Sequence, residues 1–319
     1  MFTHDEIGKI AGAFDLPGTY LGFEPITEGY INNTLAITLA EGQTRTRYIL
    51  QQINTTVFTD PETLMKNVLA TTTFIKEKAE RDPECTAMKY LVCFKTRDGK
   101  AYHTDRQGRV WRVYNYIENS VSFNLLDSAD LFYKTAEGFG EYTDLLSDFP
   151  MEELGETIPD FHHTYKRFLA FQRALDENAA GRKETCREEI AFVLSHEADT
   201  RLIVDRLDAG EIPYRVTHND TKLNNILFDK DTLEPICVVD LDTVMPGSAL
   251  YDFGDAIRSG ASTAAEDEKD LSKVRVNLEL FRAFTRGYLK KAARASRKPR
   301  STFCPWARRS SLLNAVCAF

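Results

Sequence analysis

Polar residues after position 217 have the types and spacing of a phosphoryl-transfer loop. A His-Asn-Asp sequence at 218–220 is followed by Asn225, five positions beyond Asp220. In such a loop the Asp accepts or orients the proton of the attacking hydroxyl, and the Asn supplies an oxygen to Mg²⁺. Because phosphoryl transfer depends mainly on positioning and on neutralising phosphate charge, we predict Asp220 as the catalytic base and Lys222 as a cation offsetting charge on the transferred group.

Two further acids, Asp240 and Asp242, lie beyond a predicted β-hairpin. The apolar runs 226–228 and 236–239 flank a turn-rich segment and favour two short strands. The polar flanks of such strands meet at one end, which brings Asp240 near Asn225. Since carboxylate and amide oxygens suit Mg²⁺, we predict Asn225, Asp240 and Asp242 as metal ligands. Whether Asp242 contacts the metal or the substrate stays open.

Three features of this region have competing interpretations. His218 is predicted as a buried scaffold residue rather than a catalytic one, and the stretch 220–225 has the alternative of an ordinary polar turn. Asp252 begins an Asp-Phe-Gly sequence of the kind that binds metal in some phosphoryl-transfer sites, but it lies 27 residues beyond Asn225 and before a predicted helix. We therefore predict Asp252 as a helix cap and assign the metal to Asp240.

The residues before position 118 have a mainly strand-like pattern. Leu35, Ile37 and Leu39 alternate with polar residues, as in a strand with one buried face. An Asp-Pro pair at 60–61 is typical of the first turn of a helix. Strands are predicted at 35–39, 48–53, 93–96 and 110–117, with a turn at 41–42 and one inserted helix beginning at 60–61.

From position 127 the apolar residues recur at helical spacing. One helix is predicted through 161–175 and another through 190–202, because apolar residues three or four apart form one face in each. The polar segment 118–123 is the predicted boundary between the β-rich lobe and this helical lobe.

Composition and charge limit the classes of function. The 319 residues are 43% hydrophobic and 28% charged, which is typical of a globular protein. The net charge of -8 disfavours a nucleic-acid partner, and no apolar run is long enough for a membrane span. The acidic start at 4–6 is unlike a signal peptide, and the six cysteines lack Cys-x-x-Cys spacing, which favours reduced thiols. We expect a cytoplasmic protein and leave its oligomeric state open.

Three segments closely resemble the N-acetylhexosamine 1-kinases, within the aminoglycoside phosphotransferase group of kinase-like enzymes. They are 48–68, 218–230 (HNDTKLNNILFDK) and 238–269, and the likeness extends from about 19 to 289. The resemblance implies an α+β, two-lobed protein-kinase-like fold, with a nucleotide-binding lobe at 1–118 and a helical lobe for catalysis and the acceptor at 119–289. It also implies ATP and Mg²⁺ as cofactors and phosphorylation of the anomeric hydroxyl of N-acetylglucosamine or N-acetylgalactosamine.

The first lobe departs from the kinase-like pattern at one position. A lysine on the third strand usually contacts the α- and β-phosphates, whereas this chain has Gln51 and Gln52 there. A loop with one glycine precedes the second strand, and a phosphate loop and an ordinary turn are equally open for it. Fold analogy places adenine at the end of the strand 110–117. The predicted nucleotide-binding residues are Gly29, Asn32, Asn33, Gln51, Tyr116 and Ile117.

The end of the chain departs from the family pattern. Residues 280–319 carry ten Lys or Arg and no acid. We interpret 290–319 as an aberrant basic tail after a frame shift near Leu289, so that the C-terminal segment of the family is truncated. A family ending Leu-Glu-Cys-Gly-Met-Arg-Phe, translated one base later, gives the Leu-Asn-Ala-Val-Cys-Ala found at 313–318. A nucleic-acid-binding arm and a flexible tail without function are the alternatives.

Three functional hypotheses follow from these patterns. The leading one is a sugar 1-kinase with a small-molecule sugar as its partner. The second is a kinase of another small alcohol or of an aminoglycoside on the same fold, which an acid-lined acceptor pocket would favour. The third is a pseudokinase that binds nucleotide or sugar without turnover, because the strand lysine is missing and the C-terminus is altered.

Overall fold

The computed structural model describes residues 2–27, 31–124, 128–264 and 268–292. Within these ranges the chain forms a β-rich lobe followed by a mainly helical lobe, so the predicted α+β two-lobed fold is confirmed. The predicted phosphate-loop residue Gly29 and the tail from 293 onward lie outside the described residues. The frame-shift hypothesis concerns that tail and stays a prediction.

The first lobe is an antiparallel sheet with a helix on each side. The strand order is β1-β2-β3-β6-β4, and β5 also pairs with β6. The chain leaves this lobe after β6, close to the predicted boundary at 118–123. The elements are α1 (His4–Ala11), β1 (Thr19–Ile26), β2 (Asn33–Glu41), β3 (Thr44–Ile53), α2 (Pro61–Arg81), β4 (Cys93–Phe94), β5 (His103–Thr104) and β6 (Val110–Asn115).

Local sequence accounts for the central hairpin and for the start of α2. β2 and β3 pair from Asn33 opposite Gln52 to Glu41 opposite Thr44, and Gly42 takes the left-handed φ of 60° that the tight turn requires. Asp60 caps α2 by accepting a hydrogen bond from the Thr63 amide at 3.1 Å. The predicted hairpin and helix are both confirmed.

The two faces of the sheet have different partners. Ile37, Leu50 and Trp111 are buried in a core shared with α1. Side chains on the opposite face of the sheet, such as Ile53 and Val110, are buried in a second core that contains α2 and continues into the helical lobe. Because side chains alternate along a strand, residues 51 and 112 lie on the face toward α2 and the other lobe.

The second lobe holds helices around two short strand pairs. β7 and β10 flank β9 in a small antiparallel sheet, and β11 pairs with β8. The predicted hairpin of 226–228 with 236–239 is confirmed as β9 and β10. The elements are β7 (Ser120–Val121), α3 (Ala129–Leu145), α4 (Thr164–Glu177), α5 (Arg187–Ser195), α6 (Glu197–Arg201), α7 (Val204–Asp208), β8 (Arg215–Thr217), β9 (Ile226–Asp229), β10 (Pro235–Val238), β11 (Met245–Gly247), α8 (Ala249–Gly260) and α9 (Leu278–Ala292).

The single helix predicted through 190–202 is wrong, because the region forms the separate helices α5 and α6 before α7. The Ser195 hydroxyl and His196 Nδ1 both donate to the Phe192 carbonyl, at 2.7 and 2.8 Å. Side chains that bond to backbone carbonyls in this way compete with continuation of the helix. The predicted apolar face is also less buried than expected, since Leu194 is 43% exposed.

Helices α3 and α9 pack closely against each other. A Cβ atom on Gly287 would lie 2.3 Å from the Tyr133 carbonyl oxygen, and one on Gly140 would lie 2.9 Å from the Tyr288 carbonyl oxygen, so only glycine allows this approach. Lys290 also forms an ion pair with Glu137 at 2.6 Å. Helix α9 therefore continues through the first three residues of the predicted tail.

Two expectations about the chain as a whole concern membranes and disulfides. Among the helices in the described ranges, none has the length and apolar character needed to cross a bilayer. The cysteines that the structure describes are free thiols: Cys85, Cys93, Cys186 and Cys237.

Candidate active site

The predicted catalytic residues lie together in the segment 218–225 between β8 and β9, which is named the catalytic segment after this prediction. The Asn225 side-chain amide donates to the Asp220 carbonyl at 2.7 Å and to Asp220 Oδ2 at 3.0 Å. Lys222 Nζ lies 3.1 Å from Asp220 Oδ1, and the Asp220 side chain is 22% exposed. A carboxylate held on both oxygens and still open to solvent is suited to accept a proton from a hydroxyl group.

The His218 side chain packs beneath the surface and forms hydrogen bonds that fix the backbone of this segment. It is fully buried, and its ring makes edge contacts with Phe139 and Tyr142. The Asp220 amide donates to His218 Nδ1 at 3.3 Å, so Nε2 carries the proton and donates to the Val239 carbonyl at 2.9 Å. Both ring nitrogens are used, which confirms the predicted scaffold role.

Asp252 holds the same segment from the side of α8, and the prediction that it caps a helix is wrong. The cap of α8 is Ser248, whereas Asp252 lies within the first turn. Its buried carboxylate accepts the backbone amides of His218 at 3.0 Å and Asn219 at 2.7 Å. Turn preferences within one segment do not reveal such contacts, because the partners are more than thirty positions away in sequence.

We expect Asp252→Asn to loosen the catalytic segment. The substitution replaces one carboxylate oxygen by an amide that faces a backbone amide, and a buried donor without a partner costs about 1–3 kcal/mol. Denaturant unfolding is expected to give a free energy lower by about that amount, and kcat is expected to fall. The exposed variant Asp176→Asn serves as a control. A variant as stable and as active as the parent would contradict this role.

The same residue gives an expected pH dependence. Burial raises the pKa of Asp252 to about 6, against the opposing effect of His218 and the backbone amides. Because the folded-state pKa lies above the unfolded value, its contribution to stability is present at low pH and is lost as pH rises through about 6. As the pH rises from about 4 to about 7, the free energy of unfolding of the parent should therefore fall relative to that of Asp252→Asn, whose amide does not titrate. A pH-independent difference would contradict this expectation.

Asp240 lies two residues after β10 and near Asp220, in the region between the two lobes that is called the cleft below. The Val239 amide donates to the Asn225 carbonyl at 2.9 Å, which fixes this strand end beside the catalytic segment. Asp240 has the left-handed φ of 61°, which Asp tolerates better than most residues. Asp240 is exposed to solvent, and partial desolvation by the surrounding protein, together with the nearby charges of Asp242 and Asp220, raises the pKa of its carboxyl group.

The oxygens present suit Mg²⁺. Asp240 brings an accessible carboxylate, and Asn225 keeps its amide oxygen available because its nitrogen is bound to Asp220. Within the described ranges no group of three or more His, Cys, Asp or Glu side chains is arranged to hold a metal alone. Mg²⁺ commonly binds through one or two carboxylates together with substrate phosphates, which matches this donor set.

Asp242 differs from Asp240 in being buried, with an exposure of 2%. One oxygen, Oδ1, lies 2.5 Å from Arg112 Nη1. The other, Oδ2, accepts the Asn32 side-chain amide at 2.7 Å. Both partners belong to the first lobe, so Asp242 connects the lobes.

Arg112 is the residue of this site that the sequence interpretation missed. It lies on β6 directly opposite Gln51 on β3, and its guanidinium donates twice to Gln51 Oε1, at 2.9 and 2.5 Å. Gln51 in turn donates to the Thr34 hydroxyl at 2.9 Å. The informative pattern was a charged residue inside the otherwise apolar strand Val110–Asn115.

The other predicted nucleotide residues are spread around the cleft. Asn32 directly precedes β2, and its Oδ1 accepts the backbone amide of Asn54 at 2.9 Å. Asn33 bonds instead to Gln52 at 3.0 Å, in an exposed position. In the segment after β6, the Tyr116 ring is covered by the Arg47 guanidinium at 3.9 Å and Ile117 is buried. The structure thus brings Asn32 and Gln51 together through Arg112 and Asp242, and leaves Asn33 outside that network.

A pocket opens beside the catalytic segment, on the side of α4 and α7. It encloses about 530 Å³, including space open to solvent. His162 in its wall donates to the Asn219 carbonyl at 2.9 Å, and burial lowers the pKa of this histidine. The pocket therefore borders the residue next to Asp220. Its other walls include three acids and three aromatic residues: Glu156, Asp160, Asp208, Phe161, Tyr214 and Tyr251.

Comparison with known proteins gives one family match. Residues 22–284 match the model of the phosphotransferase enzyme family. This match covers most of both lobes, including the catalytic segment and Asp240.

Solved structures of similar fold span most of the chain. Spectinomycin phosphotransferase in complex with ADP and spectinomycin has a TM-score of 0.54 at 12% identity, over 90% of this chain and 80% of that one. The microcompartment-associated aminopropanol kinase has 0.54 at 14%, over 89% and 80%. Choline kinase from Cryptosporidium parvum Iowa II has 0.54 at 14%, over 88% and 75%. At these identities the likeness is one of fold.

Proposed function

Since the chain belongs to the phosphotransferase enzyme family, we propose that it uses ATP and Mg²⁺ to phosphorylate the anomeric hydroxyl of an N-acetylhexosamine. The observation that carries the phosphotransferase activity is the placement of Asp220, Asn225 and Asp240 around one cleft. The sugar is supported by the resemblance of 48–68, 218–230 and 238–269 to the N-acetylhexosamine 1-kinases.

Each side chain has a role in this proposal. Asp220 accepts the proton of the sugar hydroxyl as the oxygen attacks the terminal phosphate. Lys222, 3.1 Å from Asp220, is close enough to offset negative charge on the transferred group. Asn225 and Asp240 hold Mg²⁺, which when bound neutralises charge on the phosphates. Asp242, the third predicted ligand, instead has both oxygens in contact with first-lobe residues, Arg112 and Asn32. Adenine is placed beside Tyr116 and Ile117, and the phosphates beside Asn32, Asn33 and Gln51.

A second candidate is a kinase of a small amino alcohol or an aminoglycoside. The pocket beside Asn219 has acids in its wall, and carboxylates would attract a cationic acceptor. Asp160 is already paired with Lys166 at 2.6 Å, which leaves Glu156 and Asp208 for this purpose. Proteins of the same fold are named for spectinomycin, aminopropanol and choline.

An acceptor panel distinguishes these candidates. ATP consumption with Mg²⁺ is measured with N-acetylglucosamine, N-acetylgalactosamine, glucose, an amino alcohol and an aminoglycoside, and the site of phosphorylation is determined by phosphorus NMR. We expect phosphate at the anomeric oxygen of an N-acetylhexosamine, and poor use of glucose because it lacks the N-acetyl group. Turnover only with cationic acceptors would overturn the sugar in favour of the second candidate. Nucleotide binding with no turnover on any acceptor would favour the pseudokinase.

A further inference from the structure

We propose that Arg112 supplies the fixed positive charge that the third strand lacks, and that it acts as a positioning residue by holding Asp242 and, through Asp242, Asn32 at the start of β2. This inference rests on the proposed nucleotide site. It concerns how the chain organises that site without a lysine on β3.

The sheet places Arg112 where the missing cation would reach. Gln51 on β3 and Arg112 on β6 are directly opposite each other, so their side chains share the face toward α2 and the helical lobe. The positive charge is thus shifted by one strand while remaining on the same face of the sheet.

The contacts of Arg112 fix its orientation. Gln51 Oε1 accepts both Nε and Nη2, and Met65 on α2 places its sulfur 3.9 Å from Nη1. The guanidinium also lies 5.1 Å from the Tyr114 ring centroid, within the range of a cation–π contact. The planar guanidinium holds its donors in a rigid fork, whereas a lysine ammonium is a compact charge with rotatable donors on a flexible stem.

Burial determines how Arg112 acts. Its side chain is 1% exposed, and Asp242, its acidic partner, is 3% exposed. Because its side chain is enclosed, we expect Arg112 to act on the nucleotide phosphates indirectly, by fixing the positions of Asp242 and Asn32. The carboxylates of Asp220, Asp240 and Asp242 lie near one another, so a buried cation beside Asp242 also stabilises this concentration of negative charge.

Asp242 links Arg112 to Asn32. The second carboxylate oxygen, Oδ2, accepts a hydrogen bond from the Asn32 side-chain amide at 2.7 Å. Asn32 Oδ1 in turn accepts one from the backbone amide of Asn54 at 2.9 Å. The Asn32 side chain therefore has a partner at both its nitrogen and its oxygen, directly before β2. Loss of Arg112 would allow the Asp242 side chain to rotate, and Asn32 would lose a fixed partner.

The experiment compares Arg112→Lys, Asn32→Ala and the double variant with the parent. Isothermal titration gives the Kd for ATP with Mg²⁺, steady-state kinetics with the acceptor found in the panel give KM for ATP and kcat, and thermal melts report folding. Arg109→Lys is the matched control, because Arg109 pairs with Glu6 and Asp105 at 2.5 and 2.7 Å in the same strand region, away from the cleft.

We expect each single variant to raise the Kd and KM for ATP about tenfold, with kcat at saturating ATP within about threefold of the parent, as for loss of one polar contact to a charged group. Because both residues act through Asp242, the double variant should also bind about tenfold more weakly, not about a hundredfold. Arg109→Lys should leave the KM for ATP unchanged.

Other results would overturn the inference. A purely structural role would lower the melting temperature and kcat and leave KM unchanged, and independent roles would give multiplied effects in the double variant. If Arg112→Lys does not fold, Asn32→Ala alone must raise the KM, and failure to do so refutes the coupling. Absence of ATP binding by the parent would instead refute the proposed function, on which the inference rests.

Discussion

Asp220→Asn is expected to lower kcat by about 10²–10⁴, the usual contribution of a general base. The substitution removes the proton acceptor but keeps the size of the side chain. The Kd for ATP should stay close to that of the parent, because the proposed nucleotide contacts at Asp240 and after β6 do not involve the Asp220 carboxylate. Pre-steady-state and steady-state measurements of ADP release, together with isothermal titration of ATP, test this expectation.

The exposed Asp176 on α4 provides the matched control. Asp176→Asn makes the same chemical change outside the cleft, and we expect unchanged kcat and KM. An Asp220→Asn enzyme within a few-fold of the parent would remove Asp220 from the role of base. Loss of ATP binding in this variant would mean that the side chain organises the nucleotide site as well.

Asp240→Asn is expected to weaken ATP binding in the presence of Mg²⁺ and to lower kcat by about 10² or more, since a metal on transferring phosphates is worth several kcal/mol. The amide is a poorer metal ligand than the carboxylate it replaces. ATP binding without Mg²⁺ should change little or improve, because one of three neighbouring negative charges is removed. Titration of activity with Mg²⁺ should show a higher midpoint.

Asp252→Asn gives the contrast for this experiment. Asp252 is fully occupied with the amides of His218 and Asn219, so its substitution should lower stability and kcat without moving the Mg²⁺ midpoint. If Asp252→Asn removed the metal dependence while Asp240→Asn left it intact, the metal would have been assigned to the wrong aspartate.

Elements with strong local patterns could be predicted from the sequence. Alternation around Leu35 and the turn at Gly42 determine the hairpin of β2 and β3, and Asp60 with Pro61 determines the start of α2. The region 190–202 was harder, because its apolar spacing continues through the point where Ser195 and His196 bond to a backbone carbonyl and end α5. Periodicity does not reveal this competition between side chain and backbone.

In the candidate site, too, local patterns could be predicted and contacts between distant residues could not. Asp220 and Asn225 are close in sequence and were predicted together. Arg112 and Asp252 act on residues far away in sequence, so their roles become visible only once strands and helices are packed. A charged residue in the apolar strand around Arg112 was the one available hint, since a buried charge requires a partner. The sequence alone does not identify that partner as Asp242.

The close packing of α3 against α9 has a consequence for the order in which the protein folds during synthesis. The sheet strands β1, β2 and β3 are neighbours in sequence and can pair as soon as they leave the ribosome, whereas the buried face of α3 must wait for α9, which is made after most of the helical lobe. Contacts between distant segments form late, and apolar surface exposed in the meantime favours aggregation. We therefore expect the nascent helical lobe to depend on chaperones until α9 has emerged.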